Sequence, residues 1–201
     1  SKKIGTLCNY VVGDITNKKD RKKIISSAID HGKGLDVLVN NAGNMYRTPL
    51  ENIEEDVLVN VFNSNVISAM MLSSEALTYL KKSKGSIIFV SSVHTKRAFS
   101  GASPYAATKG AIEILTKVLA SELGPSGVRV NCVSPGAVPS LINQRAGILN
   151  EEQTAERYKF LAAEHRLGRI GTAIEIAEAI EYLIRAQWTT GAILDVDGGL
   201  G

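Results

Sequence analysis

One tyrosine and one lysine, spaced four residues apart, are the side chains of this sequence best suited to acid–base chemistry. The segment reads Tyr105-Ala-Ala-Thr-Lys109, and positions i and i+4 of a helix share a face, so the phenol and the ammonium group would point into one site. A free tyrosine, with a pKa near ~10, is a poor acid–base catalyst at neutral pH. A cation held beside it favours the phenolate and brings the pKa towards the working range. Alone, this spacing is a weak signal, because surface Tyr–Lys pairs occur by chance on many helices.

Three other motifs give the Tyr–Lys pair a context, since each directly follows an apolar run that predicts a buried strand. They are Asn40-Asn41-Ala42-Gly43 after 35–39, Ser91-Ser92 after 86–90, and Pro135-Gly136 after 128–133. Near-continuous apolar runs are typical of parallel strands that are covered on both faces. Open parallel sheets bind ligands outside the carboxyl ends of their strands. The sequence therefore predicts that all these motifs meet at one edge of a sheet.

The elements that would position these motifs alternate between strand and helix along the chain. Helical patterns cover 20–29, 53–80, 104–123, 154–164 and 173–184, and strand patterns cover 10–12, 35–39, 86–90, 128–133 and 192–196. Strands separated by helices indicate βαβ units, so we predict an α/β fold with a doubly wound parallel sheet. Strands 35–39, 86–90 and 128–133 should be neighbours, with Ser92 and Tyr105 converging at their carboxyl ends.

Composition favours one globular domain and predicts that it binds neither nucleic acid nor a membrane. The chain has 201 residues, of which 44% are hydrophobic and 21% charged, and its net charge is +3. Such an excess is too slight to bind a phosphate backbone. The one basic cluster, within 18–23, predicts a solvated helix start and leaves nucleic-acid binding as a weak alternative. No stretch approaches the ~20 apolar residues of a membrane helix, so no membrane partner is expected.

The cysteines and histidines predict a reducing compartment and no metal site. Cys8 and Cys132 lie far apart without the spacing of a disulfide framework, so we expect reduced thiols and a cytoplasmic location. The histidines, His31, His94 and His165, form no metal-ligand pattern.

Taken together, the motifs resemble the classical short-chain dehydrogenase/reductase family. The matching segments are Val12-Gly13-Asp14-Ile15, 35–43, Val90-Ser91-Ser92, 105–109, 131–136, Gly168-Arg169 and 195–199. The resemblance covers nearly the whole chain. It implies a Rossmann-like fold and a cofactor, NAD or NADP. It also implies a small-molecule substrate, a secondary alcohol or a carbonyl compound, that is oxidised or reduced by hydride transfer.

The resemblance implies a four-residue catalytic set. Tyr105 would exchange a proton with the substrate oxygen, while Lys109 would hold the nicotinamide ribose and lower the pKa of Tyr105. Ser92 would hydrogen-bond the substrate oxygen and stabilise the charge that develops on it. Asn65 would bind a water molecule that continues a proton relay from Lys109. The alternatives are Asn60 and Asn63 for Asn65, and Ser91 for Ser92.

A cofactor-binding set is implied in the same way. Its members are Asp14 and Ile15 at the adenine, Asn41, Ala42 and Gly43 along the adenosine, Pro135, Gly136 and Val138 beside the nicotinamide, Ser140 near the carboxamide, and Tyr105 and Lys109. Packing is the alternative role for Ala42 and Val138. An N-cap of the following helix is the alternative for Asp14.

The sequence departs from the family at its beginning. The family opens with a Thr-Gly-x-x-x-Gly-x-Gly turn that places pyrophosphate on a helix N-terminus, and no such turn occurs here. We therefore predict a single dinucleotide-binding domain over residues 1–201 that lacks its first βαβ segment, with further chain completing the fold. The missing part includes the residue that separates NAD from NADP. A catalytically dead, truncated relative that acts as a binding or oligomer partner is the alternative function.

Two further expectations concern the substrate and the assembly. Segment 137–153 mixes Leu141 and Ile142 with Asn143 and Arg145, which suits a mid-sized, partly apolar carbonyl compound. The resemblance implies a homotetramer that pairs through helices 53–80 and 104–123 and through the region 195–199. Apolar residues on more than one side of helix 53–80 support this pairing, because such a helix must be buried twice.

Overall fold

The computed structural model describes residues 7–201, and at their centre is a parallel sheet. Its strands are β1 (Val37–Asn40), β2 (Ser86–Val90), β3 (Arg129–Pro135) and β4 (Ile193–Val196). They lie in the order β1-β2-β3-β4, and each pairs with its neighbour in parallel. The predicted neighbours are therefore confirmed, and the motifs that follow β1, β2 and β3 share one edge of the sheet.

Helices connect the strands and cover both faces of the sheet. They are α1 (Lys18–Gly32), α2 (Glu55–Phe62), α3 (Ser68–Ser83), α4 (Ser103–Leu123), α5 (Ile142–Arg145), α6 (Glu151–Glu164) and α7 (Ala173–Arg185). A π-helical turn, Asn63–Ile67, joins α2 to α3, so the predicted helix 53–80 is one stretch with an irregular centre. Capping boxes begin α6 and α7, where the backbone would otherwise leave N–H groups without partners.

Alternate residues of β2 enter two different cores. Ile87 and Phe89 pack into a cluster with side chains of α3 and α4, including Leu80 and Ile112. Ile88, between them, packs on the other face with Val133 and Leu183 of α7. Successive side chains of a strand point to opposite faces, so a strand covered on both faces must be apolar throughout. This confirms the α/β, Rossmann-like architecture.

One prediction near the start of the described chain was wrong, and another holds with one exception. No strand forms at 10–12, where Tyr10 is 71% and Val12 79% exposed, because no described strand lies beside this segment to take up its backbone hydrogen bonds. The basic cluster begins helix α1 and its four lysines are exposed, as predicted, and Arg21 is the exception. Arg21 is buried, 3.2 Å from Glu75 in an ion pair, and it donates a 2.8 Å hydrogen bond to the carbonyl of Ile15.

The prediction about membrane helices also needs correction. The stretch Glu55–Ser83 is long and apolar enough to cross a membrane by length and composition alone. Its inner face packs against the sheet through Ala69, Leu72, Ala76 and Leu80, all buried in the core. The apolar character of this stretch thus has a structural role within the fold.

Candidate active site

A cavity of about 1050 Å³ opens at the carboxyl ends of the strands. This lies at the upper end of the volumes of small-molecule sites, about 300–1,000 Å³. The predicted residues that line it are Asp14, Ile15, Asn41, Ala42, Gly43, Ser92, Tyr105, Lys109, Pro135, Gly136, Val138 and Ser140. Asn65 is the one predicted site residue that does not reach the cavity wall. The structure therefore gathers side chains from most of the chain into one site.

Tyr105, Ser92 and Lys109 meet on one wall of this cavity. Helix α4 begins just before Tyr105 and places Lys109 one turn further along the same face. Ser92 lies close enough to the phenol of Tyr105 to favour its ionised form and so lower its pKa. The ammonium of Lys109 lies 5.5 Å from the centre of the Tyr105 ring and donates a 2.8 Å hydrogen bond to the carbonyl of Val90, the last residue of β2. Strand β2 thus orients both Ser92 and Lys109.

Burial dominates the proton affinities of this pair. It raises the pKa of Tyr105 to about 12, against a smaller lowering by the hydrogen bond with Ser92. It also lowers the pKa of Lys109 to about 8. The net shift of the Tyr105 pKa is upward, opposite to the predicted lowering, because withdrawal from water disfavours the charged forms of both groups. Tyr105 is therefore a protonated phenol at neutral pH, able to donate its proton.

Asn65 lies behind the cavity, in the π-helical turn. Its amide nitrogen donates to the carbonyl of Asn44 at 2.9 Å and to the hydroxyl of Thr108 at 3.0 Å, and its oxygen accepts the Asn44 N–H at 2.7 Å. These bonds tie the loop after β1 to α4. A Cβ atom on Gly43 would lie 3.1 Å from the Asn65 oxygen and 3.7 Å from the Lys109 nitrogen, so Asn65 and Lys109 flank the same narrow space.

The alternative residues lie in different surroundings. Asn60 is exposed and Asn63 is half-buried. The Ser91 hydroxyl donates at 2.9 Å to a carboxylate oxygen of Glu113 on α4. Ser92, by contrast, has its hydroxyl beside the phenol of Tyr105. The geometry thus favours Ser92 and Asn65 for the roles assigned to them by resemblance.

The end of the cavity near α1 is built around Asp14. Its carboxylate accepts hydrogen bonds from the N–H and the hydroxyl of Thr16, both at 2.8 Å, and these bonds lower the pKa of Asp14. The N-cap of α1 is Asn17, whose side chain accepts the N–H of Lys19 at 2.8 Å. The N-cap alternative for Asp14 is therefore wrong, and its carboxylate is an acceptor on the cavity wall.

A short loop after β3 forms another wall of the cavity. Hydrogen bonds to residues in and just after α6 hold this loop in place. A Cβ atom on Gly136 would come within 2.8 Å of the Cα of Asp197, so the chain passes here only without a side chain. His165, just after α6, accepts the N–H of Ala137 at 3.3 Å through Nε2. The hydroxyl of Tyr158 accepts the N–H of Ser140 at 3.0 Å and donates to the carbonyl of Val138 at 3.3 Å.

The sequence did not indicate that His94 belongs to the site, since its only predicted property is that it forms no metal-ligand pattern. Its Nδ1 lies 3.0 Å from the Ser92 hydroxyl, and its ring packs edge-on against Tyr105 at 5.1 Å. Burial, followed by the charges of Arg47, Arg157 and Lys109, lowers its pKa to about 4. Its position two residues after Ser92, in a tight 3-10 turn, is the one sequence signal that could have identified it.

The residues present fit a dinucleotide, although no metal site accompanies it within residues 7–201. At one end, the Asp14 carboxylate can accept hydrogen bonds from hydroxyl or amino groups. At the other, Tyr105 and Lys109 are donors. Between them, Gly43 and Gly136 present bare backbone on the cavity wall, which allows rings and riboses to approach closely.

Comparisons with known proteins agree with this description. A family model described as Enoyl-(Acyl carrier protein) reductase matches residues 1–201. The chain is 37% identical over 195 residues to a glucose 1-dehydrogenase of Gluconobacter oxydans (strain 621H), covering 94% of this chain and 70% of that protein. Among solved structures, a short-chain dehydrogenase/reductase of unknown function from Caenorhabditis elegans, determined with cofactor, matches with a TM-score of 0.88 and 29% identity over 96% of this chain and 74% of that one. A gluconate 5-dehydrogenase from Burkholderia cenocepacia J2315, in complex with NADP and tartrate, matches with a TM-score of 0.82 and 28% identity over 94% and 73%.

Proposed function

Because the chain belongs to the short-chain dehydrogenase/reductase family and is an NAD(P)-dependent oxidoreductase, we propose that it interconverts a secondary alcohol and a carbonyl compound. The observation that carries this proposal is that Tyr105, Ser92 and Lys109 line one cavity. The ammonium of Lys109 lies 5.5 Å from the centre of the Tyr105 ring, and His94, whose Nδ1 is 3.0 Å from the Ser92 hydroxyl, packs edge-on against the same ring. Tyr105, Ser92 and Lys109 are an acid, a hydrogen-bond donor and a cation in that cavity.

The cofactor, when bound, supplies or accepts the hydride. During reduction, the Ser92 hydroxyl donates a hydrogen bond to the carbonyl oxygen and stabilises the negative charge that grows there. Tyr105 holds its proton, since its pKa is about 12, and delivers it to that oxygen. The Lys109 ammonium, held by the carbonyl of Val90, stabilises the phenolate that remains. In oxidation, the same phenolate takes the proton back.

The remaining predicted residues take binding and positioning roles in this proposal. Asp14, Ile15 and the 41–43 turn bind the adenosine part, while Pro135, Gly136, Val138 and Ser140 flank the nicotinamide. Their common position in the lining of one cavity supports this assignment. Asn65 positions the loop after β1 against α4, and the water molecule of the proton relay stays a prediction.

The proposal is tested by Tyr105→Phe, with Tyr182→Phe on the exposed side of α7 as the matched control. We expect Tyr105→Phe to lower the rate of NAD(P)H-dependent reduction of a carbonyl panel by about 10²–10⁴, with cofactor binding retained in a fluorescence titration. The control should keep wild-type rates. Retention of more than a few percent of the activity by Tyr105→Phe would overturn the assignment.

The same titration separates the enzyme from the alternative, a catalytically dead relative that acts as a binding or oligomer partner. That alternative predicts that the wild-type protein binds no NAD(P)H. The Tyr105, Ser92 and Lys109 arrangement gives it no support, because a protein without turnover has no use for a buried acid beside a cation.

We further propose a homotetramer in the cytoplasm. Large exposed apolar side chains on α2, the π-helical turn, α3 and α4 support the assembly, namely Val57, Ile67, Met70, Ile114 and Val118, each at least 37% exposed. The free thiols of Cys8 and Cys132 support a reducing compartment. Light scattering at micromolar concentration tests the assembly, and the mass of a monomer would contradict the proposed tetramer. The proposed reaction itself needs neither a nucleic acid nor a membrane.

A further inference from the structure

Two arginines from distant parts of the chain line the cavity beside His94. Arg47 lies in the loop after β1 and Arg157 lies on α6, and both are half-buried. Their charges act on one another and on the same neighbour. Burial and then the charge of Arg157 lower the pKa of Arg47, and both arginines contribute to the low pKa of His94. Both guanidinium groups therefore belong to the lining of the cavity that also holds Ser92 and Tyr105.

No carboxylate of the described chain neutralises this pair of charges. The ion pairs within residues 7–201 are Arg21–Glu75, Lys96–Asp195, Arg97–Glu164, Arg169–Glu175 and Arg185–Glu181. The only acidic residue among the described cavity-lining residues is Asp14, whose Oδ1 accepts both the N–H and the hydroxyl of Thr16. Arg47 donates one hydrogen bond, at 2.8 Å, to the carbonyl of Ser100.

Polar atoms without protein partners extend over this part of the cavity. The side chain of Arg157 has no hydrogen-bond acceptor among residues 7–201, although a guanidinium carries five N–H groups. The Nε2 atom of His94 is also buried without a partner in the described part of the chain. Buried polar groups are normally satisfied, and like charges held together are destabilising unless an anion lies between them.

We infer that the substrate of the proposed reaction carries a carboxylate, and that Arg47 and Arg157 bind it while its carbonyl group lies at Ser92 and Tyr105. This inference rests on the proposed function. A guanidinium matches a carboxylate with two parallel hydrogen bonds, and both arginines keep N–H groups for that purpose. The apolar side chains of Leu141 and Ile142 on the same cavity wall suit the carbon chain between the two groups.

The inference is tested by the rates of matched acids and esters. The probes are levulinate, the oxo acids one and two methylene groups longer, and the methyl ester of each. We expect the wild-type protein to reduce at least one acid with a kcat/KM more than about tenfold above that of its ester. Arg47→Gln and Arg157→Gln should each lower kcat/KM for the acid by about ten- to a hundredfold and leave that of the ester within about threefold.

Lys159→Gln is the matched control, because Lys159 is exposed on α6, outside the cavity, and the substitution removes the same charge. It should leave the rates for acid and ester unchanged. The ester rate also reports folding, since a misfolded variant would lose both substrates together. Equal rates for acid and ester in the wild type, or acid rates that neither arginine variant changes, would overturn the inference. So would a preference of more than about tenfold for a phosphate ester over every acid.

Calorimetry separates a failure of this inference from a failure of the proposed function. Each acid and its ester are titrated into Tyr105→Phe protein saturated with NADPH or NADH, in which no turnover occurs. Tighter binding of the acid, lost in the Arg157→Gln background, would support the anion site even if no carbonyl compound is ever reduced. No preference for any acid would overturn it even if reduction of neutral substrates is fast.

Discussion

Replacing Lys109 by methionine should stabilise the cofactor-free protein while it removes activity. The lysine is 6% exposed, and burial lowers its pKa from 10.5 to about 8. Since one pKa unit corresponds to about 1.4 kcal/mol, the charged side chain destabilises the fold at pH 7 by about 3 kcal/mol. The variant leaves the carbonyl of Val90 without its 2.8 Å donor, which costs about 1 kcal/mol. We therefore expect a net gain of about 2 kcal/mol in the free energy of unfolding.

The pH dependence of stability provides an independent check. Below pH 8 both the folded and the unfolded chain hold the Lys109 proton, so the cost is fully present there. Between pH 8 and 10.5 the unfolded chain binds more protons, and stability rises with pH. Cys132 and Tyr105 act in the opposite direction, above pH 9 and pH 10, because their folded pKa values are both raised to about 12. Both groups are present in Lys109→Met as well, so relative to that variant the wild type should gain about 2 kcal/mol between pH 8 and 10.

Urea denaturation followed by circular dichroism at intervals from pH 7 to 10 measures both effects. Lys117→Met, at an exposed position of α4, is the matched control and should keep the wild-type slope. The greater stability of Lys109→Met at pH 7 should disappear between pH 8 and 10. The reasoning is refuted if Lys109→Met is less stable than the wild type at pH 7, or if the stabilities of the two proteins change with pH in parallel.

Three other changes test further parts of the structure. Gly43→Ala places a methyl group 3.1 Å from the Asn65 oxygen and should weaken NAD(P)H binding in a fluorescence titration; unchanged affinity would exclude this space from the cofactor site. Arg129→Met removes 2.8 Å and 2.6 Å hydrogen bonds to carbonyls at the end of α7 and should lower the free energy of unfolding by about 2–4 kcal/mol; an unaltered urea midpoint would contradict this. Ile114→Glu charges an outward face of α4 where the side chain is 60% exposed; it should reduce the mass seen by light scattering, whereas an undiminished oligomer would place the interface elsewhere.

Strand positions were predictable where burial on both faces leaves an unbroken apolar run. The prediction 86–90 matches β2 at both ends, because Ile87, Ile88 and Phe89 are all fully buried. The run at 10–12 is equally apolar, yet a strand also needs a neighbour, and apolar character alone does not supply one. Local pattern therefore identifies a strand only when the rest of the sheet is in place.

The site was predictable in its residue types and not in its electrostatics. Helical spacing places Tyr105 and Lys109 on one face, and that much depends on local structure alone. The pKa values depend on burial, which is a property of the tertiary structure, and so the direction predicted for Tyr105 was wrong. Arg47 and Arg157 carry no local signal at all, because their meeting results from the way the loop after β1 and helix α6 fold over the same cavity.

Helix α6 contributes to both proposed binding sites, that of the substrate and that of the cofactor. A shift of this helix would therefore couple the binding of one ligand to the binding of the other. One turn of it carries Arg157, the proposed carboxylate partner, next to Tyr158, which fastens the loop at Val138 and Ser140. Any shift of the helix that improves one set of contacts alters the other. Linkage then requires that the cofactor change the affinity for an acid by the same factor as the acid changes the affinity for the cofactor. A substitution of Arg157 that alters the substrate preference would consequently also change the affinity for the nucleotide.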